Sequence, residues 1–506
     1  MKQQLLFESI PVNKYDLLSK EDLITLAKGY EDVIRQLQVK MEEKDRELFK
    51  TEQINFLINE QVINIKNMLF GKSSERSTKK SSENKIKKES RKRILLTSER
   101  YPNLDIMEKV VGLDKIPTCP CCSKTMKESG LTEDSEYLTV IPKRFYVVRQ
   151  KRVKYRCSTC QDQLITAPAI PRIKAGSSYS DEMVMDVALS KYCDLIPVER
   201  YVQMAARGGV TGVPANTLIQ STHNLSDFLT PVYEKIKNEI LKSKILHADE
   251  TTHRMLEGDK KSHWYLWGFS TSHASYFEAH DTRSGDIASN FLNKSSCEYL
   301  VSDVFSGYKK AVRESNIYRK ENNLSELKNI YCNAHARRKF KEASQRFERE
   351  TRLFLWCYGK IYHLEKQINL KDRRRWQLFY YKAMESFAIK IENSYSSKSS
   401  LVKAINYFNK NFTELTYFLK HNDIPIDNNS QERLMRSPVI GRKTWFGTHS
   451  QRGALTNAVM FSIVESCKIN KINPREYYKE IVHALHEKRD IFTPHEFLKM
   501  KSEKIA

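Results

Sequence analysis

Two groups of side chains have types and spacings that could do chemistry. The first is a set of carboxylates. Ile245-Leu246-His247-Ala248-Asp249-Glu250-Thr251 reads as a short apolar strand ending in two acids, and Tyr299-Leu300-Val301-Ser302-Asp303 repeats the pattern. A carboxylate so placed can ligate Mg²⁺, a hard cation that prefers oxygen. A third acid, Glu432, lies in Asp427-Asn428-Asn429-Ser430-Gln431-Glu432-Arg433-Leu434-Met435-Arg436, with Arg433, Arg436, Arg442 and Lys443 crowding it. Three acids suit two-metal phosphoryl transfer, in which one ion makes a nucleophile of water or a 3′-hydroxyl and the other steadies the leaving oxygen. That chemistry leaves the intervals 303 − 249 = 54 and 432 − 303 = 129 unconstrained, so spacing alone does not single these three out of 62 acids. Glu432 also has a local reading, because Asn429 three residues before it resembles a capping box. The four cations weigh against that reading, as does Pro438, which is expected to stop the helix soon after Glu432. Glu250 follows Asp249 but is turned to the opposite face by strand alternation.

The second group is thiolate. Cys119-Pro120-Cys121-Cys122 and, after 34 intervening residues, Cys157-Ser158-Thr159-Cys160 form two CxxC pairs. Cys119, Cys122, Cys157 and Cys160 suit a tetrahedral Zn²⁺, structural because four thiolates leave no open position; Cys121 is a spare. The intervening Tyr137 to Ile141 and Phe145 to Tyr155 read as strands with Arg144, Arg149, Lys151, Arg152 and Lys154 on or beside them, giving a zinc-ribbon-like knuckle with a basic face.

The elements around these groups fall into seven segments. Residues 20–70 hold a heptad seam of Leu23, Leu26, Tyr30, Val33, Leu37, Ile54, Ile58, Ile65 and Met68, interrupted mid-way, which points to a dimerising coiled coil. Residues 71–96 are a basic linker too polar to offset its ordering entropy. Residues 110–172 carry the knuckle. Residues 178–240 form a helical region, with helices at Ser180 to Ser190 and Pro197 to Ala206, a Gly208–Gly212 turn and a third helix starting near Pro214 or Asn216. That pattern is consistent with a helix-turn-helix, with Asn216 to Gln220 opening its second helix. Residues 241–344 are the first part of an α/β core, in which His263 to Ser270, Ala274 to Ala279 and Asn329 to Cys332 are strands, Ser284 to Asn293 is helical and His335 enters a helix. Residues 345–422 are helical and rich in aromatics (Phe354, Trp356, Tyr358, Tyr362, Trp376, Phe379, Tyr380, Tyr381), expected to make their own core; Arg373-Arg374-Arg375 reads as a solvated helix face or a phosphate contact. Residues 423–506 close the core with a helix from Gly453 to Asn470, apolar nearly all round and so buried, and another from Pro474.

Charge narrows the partners. Lys+Arg of 85 against Asp+Glu of 62 gives a net +23, with pI about 9.4, which favours a polyanion such as nucleic acid. A membrane is disfavoured, since no run of 18 apolar residues exists. The N-terminal stretch lacks the apolar core of a signal peptide. Ten cysteines, four of them in CxxC pairs, fit a reducing cytoplasm better than a disulfide framework. These features admit two function classes: a metal-dependent nucleic-acid enzyme, or a non-enzymatic zinc-containing DNA-binding regulator that dimerises through its N-terminal helix.

Seven motifs in order decide between them by resemblance. They are Phe70-Gly71-Lys72-Ser73-Ser74-Glu75-Arg76, the paired CxxC, His247-Ala248-Asp249-Glu250-Thr251, Ser302-Asp303 with Gly307-Tyr308, Cys332-Asn333-Ala334-His335-Ala336-Arg337-Arg338-Lys339-Phe340, Asp427-Asn428-Asn429 with Glu432-Arg433 and Arg436, and Gly441-Arg442-Lys443-Thr444-Trp445-Phe446-Gly447. Along nearly its whole length the chain resembles the IS-sixty-six family of bacterial insertion-sequence transposases, the large DDE-type subunit. The resemblance implies an RNase H-like core with a helical insertion, in which Asp249 on the first strand, Asp303 on the fourth and Glu432 on a late helix hold two Mg²⁺. It further implies DNA strand cleavage and strand transfer at transposon ends in the cytoplasm at the nucleoid, with Arg337, Arg338, Arg433, Arg436, Arg442 and Lys443 against DNA, a homo-oligomer, and accessory proteins of the same element. Ser123 stands where the family often has glycine, and Thr252 where proline is frequent.

Overall fold

The structure is a computed structural model describing residues 96–505 apart from 112–114, 128–132, 142, 159–163, 257–262 and 368–371. The expected coiled coil, nearly all of the basic linker and Cys160 lie outside the described residues. The chain divides into two compact units between Thr139 and Val140. In the first, one helical turn, Thr97–Arg100, is tied down by Glu136, whose carboxylate accepts from the Ser98 backbone and hydroxyl, each at 2.8 Å. The CxxC turn is closed by Ser123 N donating to Cys119 O and Cys119 N donating to Lys124 O, both 2.8 Å. Ser123 takes φ +57°, the left-handed conformation that glycine adopts without cost.

The second unit opens with a two-stranded antiparallel ladder, β1 (Lys154–Arg156) and β2 (Leu164–Thr166). The longer strands expected at Tyr137 to Ile141 and Phe145 to Tyr155 do not form. Alternation makes a strand only where one face can be buried and a ladder partner exists, and Tyr146 and Val147 are 84% and 96% exposed. The helical region agrees with its pattern. Helices α1 (Asp181–Tyr192), α2 (Val198–Arg207) and α3 (Ala215–Phe228) share a small core of Val187, Val198, Tyr201, Ala205 and Leu218. Asn216, Thr217 and Gln220 stay exposed at the start of α3. Helix α4 (Thr230–Leu241) leads into the sheet.

That sheet has the order β5-β4-β3-β6-β7: β3 (Ile245–Arg254), β4 (His263–Ser270), β5 (Ser275–His280), β6 (Tyr299–Ser302) and β7 (Lys328–Tyr331). Short connections make β3, β4 and β5 antiparallel, whereas helical crossovers through α5 (Gly285–Asn293) and α6 (Ser306–Glu321) make β6 and β7 parallel to β3. The first acidic strand is longer than its apolar run: it continues through Asp249 and Glu250 to Arg254, because β4 pairs with it from His247 to Arg254.

After β7, α7 (Asn333–Ala343) is followed by the helical segment α8 (Glu348–Glu365), α9 (Arg373–Glu392) and α10 (Ser400–Lys410). Phe354, Tyr358 and Tyr381 are buried, but not in a core of the segment's own. They share one cluster with Val301 of β6, Ile330 and Tyr331 of β7 and Phe340 of α7, because the helices pack onto the parallel edge of the sheet. Trp356 and Phe379 are about half exposed, at 52% and 49%. Arg373 and Arg374 are neither solvated nor free for phosphate. Both donate to the Asn422 carbonyl, and Arg374 is paired with Glu365 at 2.6 Å, so the pair closes the loop between this segment and the last part of the chain.

Helix α11 (Asn429–Trp445) passes straight through Pro438, contrary to the expected stop. Pro438 is buried with Leu434, Met435 and Gly441 on both sides of it, and this packing holds the helix where one backbone N–H is missing. Then come α12 (Gln451–Ile469), buried nearly all round, α13 (Pro474–His486) and α14 (Pro494–Ile505). Ser462 and Ser466 of α12 accept from Phe277 N and Ser275 N at 2.9 Å, covering the open edge of β5. Among the described residues no helix is long and apolar enough to cross a membrane.

Candidate active site

Parallel pairing explains the interval between the first two acids. In the β3–β6 register His247 lies opposite Val301, and 301 − 247 = 54 is the same offset as 303 − 249. Asp249, within β3, and Asp303, just past the end of β6, therefore stand at matching positions on neighbouring strands. Asp303 Oδ1 accepts from Phe305 N at 3.0 Å and Asp249 Oδ1 from Glu250 N at 3.0 Å.

Asp249 lies opposite Gly268 of β4, on the face covered by α11. A Cβ on Gly268 would run into Gln431 and Met435, so glycine is what lets α11 approach here. Glu250 points the other way, as alternation requires: its side chain is buried, bridged to Arg283 at 2.7 Å and accepting from the Tyr308 hydroxyl at 2.6 Å.

Both ends of α11 are fastened to β3. At the front, Asn428 Nδ2 donates to Ala248 O and Asn428 Oδ1 meets His247 Nδ1, each at 2.8 Å, while Asn428 N donates to Cys332 Sγ at 3.2 Å. At the back, Arg442 donates to the carbonyl and hydroxyl of Thr252. Gly447 at φ +134° packs so close to Arg254 O that a Cβ would collide with it, and Thr448 N donates to Arg254 O at 3.0 Å.

Glu432 does not cap its helix. Asn428 is the N-cap, and the side chain of Asp427 accepts from Asn429 N at 3.1 Å. The Glu432 carboxylate instead meets α7, 3.5 Å from Arg338 Nη2, 3.6 Å from His335 Nδ1 and 4.0 Å from Cys332 Sγ. Burial pushes the Asp249 carboxyl up to about 8, helped by the charges of Glu250 and Asp303 and, to a smaller extent, of Glu432. The charges of Asp303 and Glu432 thus both reach Asp249. A buried carboxyl raised by like charges is a place where a divalent cation relieves the repulsion, so the residues present fit Mg²⁺.

The expected DNA contacts differ in their freedom. Arg337, Arg433, Arg436 and Lys443 are exposed, whereas Arg338 is paired with Glu432 and Arg442 is held on β3. The cysteines fall in separate units: Cys119, Cys121 and Cys122 in the first, Cys157 in the second. Backbone N–H groups of Cys121 and then Cys122 hold the Cys119 thiol below its usual range, which favours the thiolate a metal requires.

Sequence reasoning left Asn428, Cys332, Tyr308 and Arg283 without roles. All but Arg283 stood inside recognised motifs; nothing in the sequence around Arg283 pairs it with Glu250, 33 residues away.

Comparison with known proteins places these features. Residues 176–456, more than half of the chain, match the family described as "Transposase IS66 family". Residues 117–161 match the "zinc-finger binding domain of transposase IS66". Two similar proteins of Sinorhizobium fredii are named Uncharacterized protein y4jD, 26% identical over 72% of this chain and 74% of its own, and Uncharacterized protein y4hP, 25% identical over 75% of this chain and 72% of its own.

Proposed function

The chain belongs to the IS66 transposase family, and on that footing we propose that it binds insertion-sequence ends and catalyses Mg²⁺-dependent strand cleavage and strand transfer through Asp249, Asp303 and Glu432. The observation that carries the reading is the buried Asp249 carboxyl, on the face that α11 covers, on which the charges of both Asp303 and Glu432 act. Strand order supports an RNase H-like core: three antiparallel strands followed by two parallel ones, with acids from the first and fourth strands and a late helix.

Two Mg²⁺ held by the three carboxylates would activate a water or 3′-hydroxyl and stabilise the leaving oxygen. The protein's own groups prepare that site. Asn428 and Arg442 set α11 against β3 and thereby hold Glu432 toward Asp249. Arg338 and His335 lie beside Glu432 and share its charge. Arg433, Arg436 and Lys443, exposed on α11, would bind backbone phosphates beside the acids. The zinc-finger match at residues 117–161 supports zinc binding, for which Cys119, Cys122, Cys157 and Cys160 are the proposed ligands; the knuckle and the helices at 178–240 are proposed to contribute to DNA binding. The segment at residues 20–70 is proposed to make the homo-oligomer.

The test is Mg²⁺-dependent nicking of DNA carrying the element's ends. Asp249→Asn, Asp303→Asn and Glu432→Gln should each cut cleavage by at least about 10²–10³-fold, the order of magnitude for losing one group of electrostatic stabilisation, while DNA binding survives. Cleavage retained in any one variant removes that residue from the set. A parent protein that binds ends and never cuts them would make the chain a regulator.

A further inference from the structure

A second cluster of metal-ligating side chains, none belonging to the carboxylate site, is built from three elements. Glu239 comes from the last turn of α4, His273 from the β4–β5 turn and His495 from the first turn of α14. One ligand atom from each lies within 4.8 Å of the other two. His273 Nε2 is 3.0 Å from Glu239 Oε1, and the two imidazole rings are 4.4 Å apart between centroids.

The surroundings orient these groups as metal sites orient their ligands. Asn470 Nδ2 donates to His273 O and to Ser466 O, both at 2.7 Å, which fixes Asn470 Oδ1 as an acceptor. His495 Nδ1, 3.1 Å from that oxygen, must then carry the proton, leaving Nε2 with its lone pair. One amide therefore sets the tautomer of one histidine and holds the backbone of the other. His273 Nδ1 is 3.1 Å from the Ser272 hydroxyl, leaving its Nε2 toward Glu239. A hydrogen-bonded far nitrogen is the usual support for a ligating histidine. Glu239 Oε2 is buried without a hydrogen bond of good geometry among the described residues, and a buried carboxylate oxygen is costly to leave poorly satisfied. Burial pushes this carboxyl up, but the side chains of His273 and then Thr493 are near enough to hold it below its usual range.

We propose that Glu239, His273 and His495 bind a zinc-class divalent transition-metal ion that fastens helix α14 to the β4–β5 turn and to α4. Two imidazoles and one carboxylate select Zn²⁺ over Mg²⁺, which takes oxygen ligands. This ion is separate from any held by cysteine, and it acts on the attachment of the C-terminal helix.

The experiment is zinc binding to the full chain, with Zn²⁺ as the probe and metal content measured after dialysis. Glu239→Gln and the double variant His273→Ala/His495→Ala should each hold one zinc fewer per chain than the parent. With Co²⁺ substituted, the near-ultraviolet thiolate-to-metal band should be equal in all three, because no cysteine is lost. Zn²⁺ should raise the melting temperature of the parent more than that of either variant. Equal zinc content in parent and Glu239→Gln overturns the proposal. Glu239→Gln, which keeps the shape of the side chain, decides the matter if the double variant does not fold.

Discussion

At the scale of single residues, Asp249 carries an electrostatic conflict with a measurable consequence. Its carboxyl is pushed up to about 8 by burial and by Glu250, Asp303 and Glu432, against about 3.9 in an unfolded chain. Between those values the folded chain binds more protons at this residue than the unfolded one. The stabilisation is therefore full below about pH 4 and is lost as pH rises through about 8. In chelator, the melting temperature of the parent should fall across pH 5–8, and Asp249→Asn should flatten that fall and melt several degrees higher at pH 8. An unchanged slope in the variant would assign the pH dependence elsewhere. Mg²⁺ must displace the same proton, so its binding, followed by calorimetry, should tighten as pH rises toward 8 and release protons to the buffer.

At the scale of elements, α11 acts as a bar pinned at both ends to β3, and Glu432 is placed by those pins. Asn428 holds the front; Arg442, Gly447 and Thr448 hold the back. Gly447→Ala would force a Cβ against Arg254 O at φ +134°, a strain of about 1–3 kcal/mol. The expected result is a lower denaturation midpoint together with a loss of cleavage larger than the loss of DNA binding. Cleavage unaffected at full folding would show that the back pin does not position Glu432. Asn428→Ala removes the bonds to Ala248 O and His247, at a cost of about 1–3 kcal/mol for the buried groups left unpaired. Its cleavage rate should fall while the Kd for DNA is unchanged.

At the scale of the whole molecule, the net charge of +23 makes DNA affinity salt-dependent. Arg433 and Arg436 are exposed on the helix that carries Glu432, so on the proposed reading they are the groups that would meet the DNA backbone beside the acids. Replacing both with Ala should weaken binding to all sequences alike and lower the slope of log K against log salt by about 2, roughly one for each phosphate that the variant no longer neutralises. Arg442→Ala should behave differently, reducing stability and cleavage more than the salt slope, because its guanidinium is occupied by Thr252. An equal change in salt slope for all three arginines would contradict that division.

What the linear chain determined by itself is what depends on residue type and local period. The strands at Ile245, His263, Ala274, Tyr299 and Asn329 were visible because buried strands are apolar runs, and α12 because it is apolar all round. The paired CxxC and the three acids were visible as chemistry, though only ordered motifs drew Glu432 to the other two. Tertiary structure decided everything that needs a partner distant in sequence. Pairing with β4 carried β3 past its acids to Arg254, and pairing with β6 turned an arbitrary interval of 54 into a shared strand register. Lack of a buried face kept Tyr137 to Ile141 and most of Phe145 to Tyr155 from becoming strands. Packing carried α11 through Pro438, and contact with α7 took Glu432 away from the capping role its neighbours allowed. Local propensity is a weak force beside burial and long-range hydrogen bonding, so motifs announce which residues matter and the fold decides what each one touches.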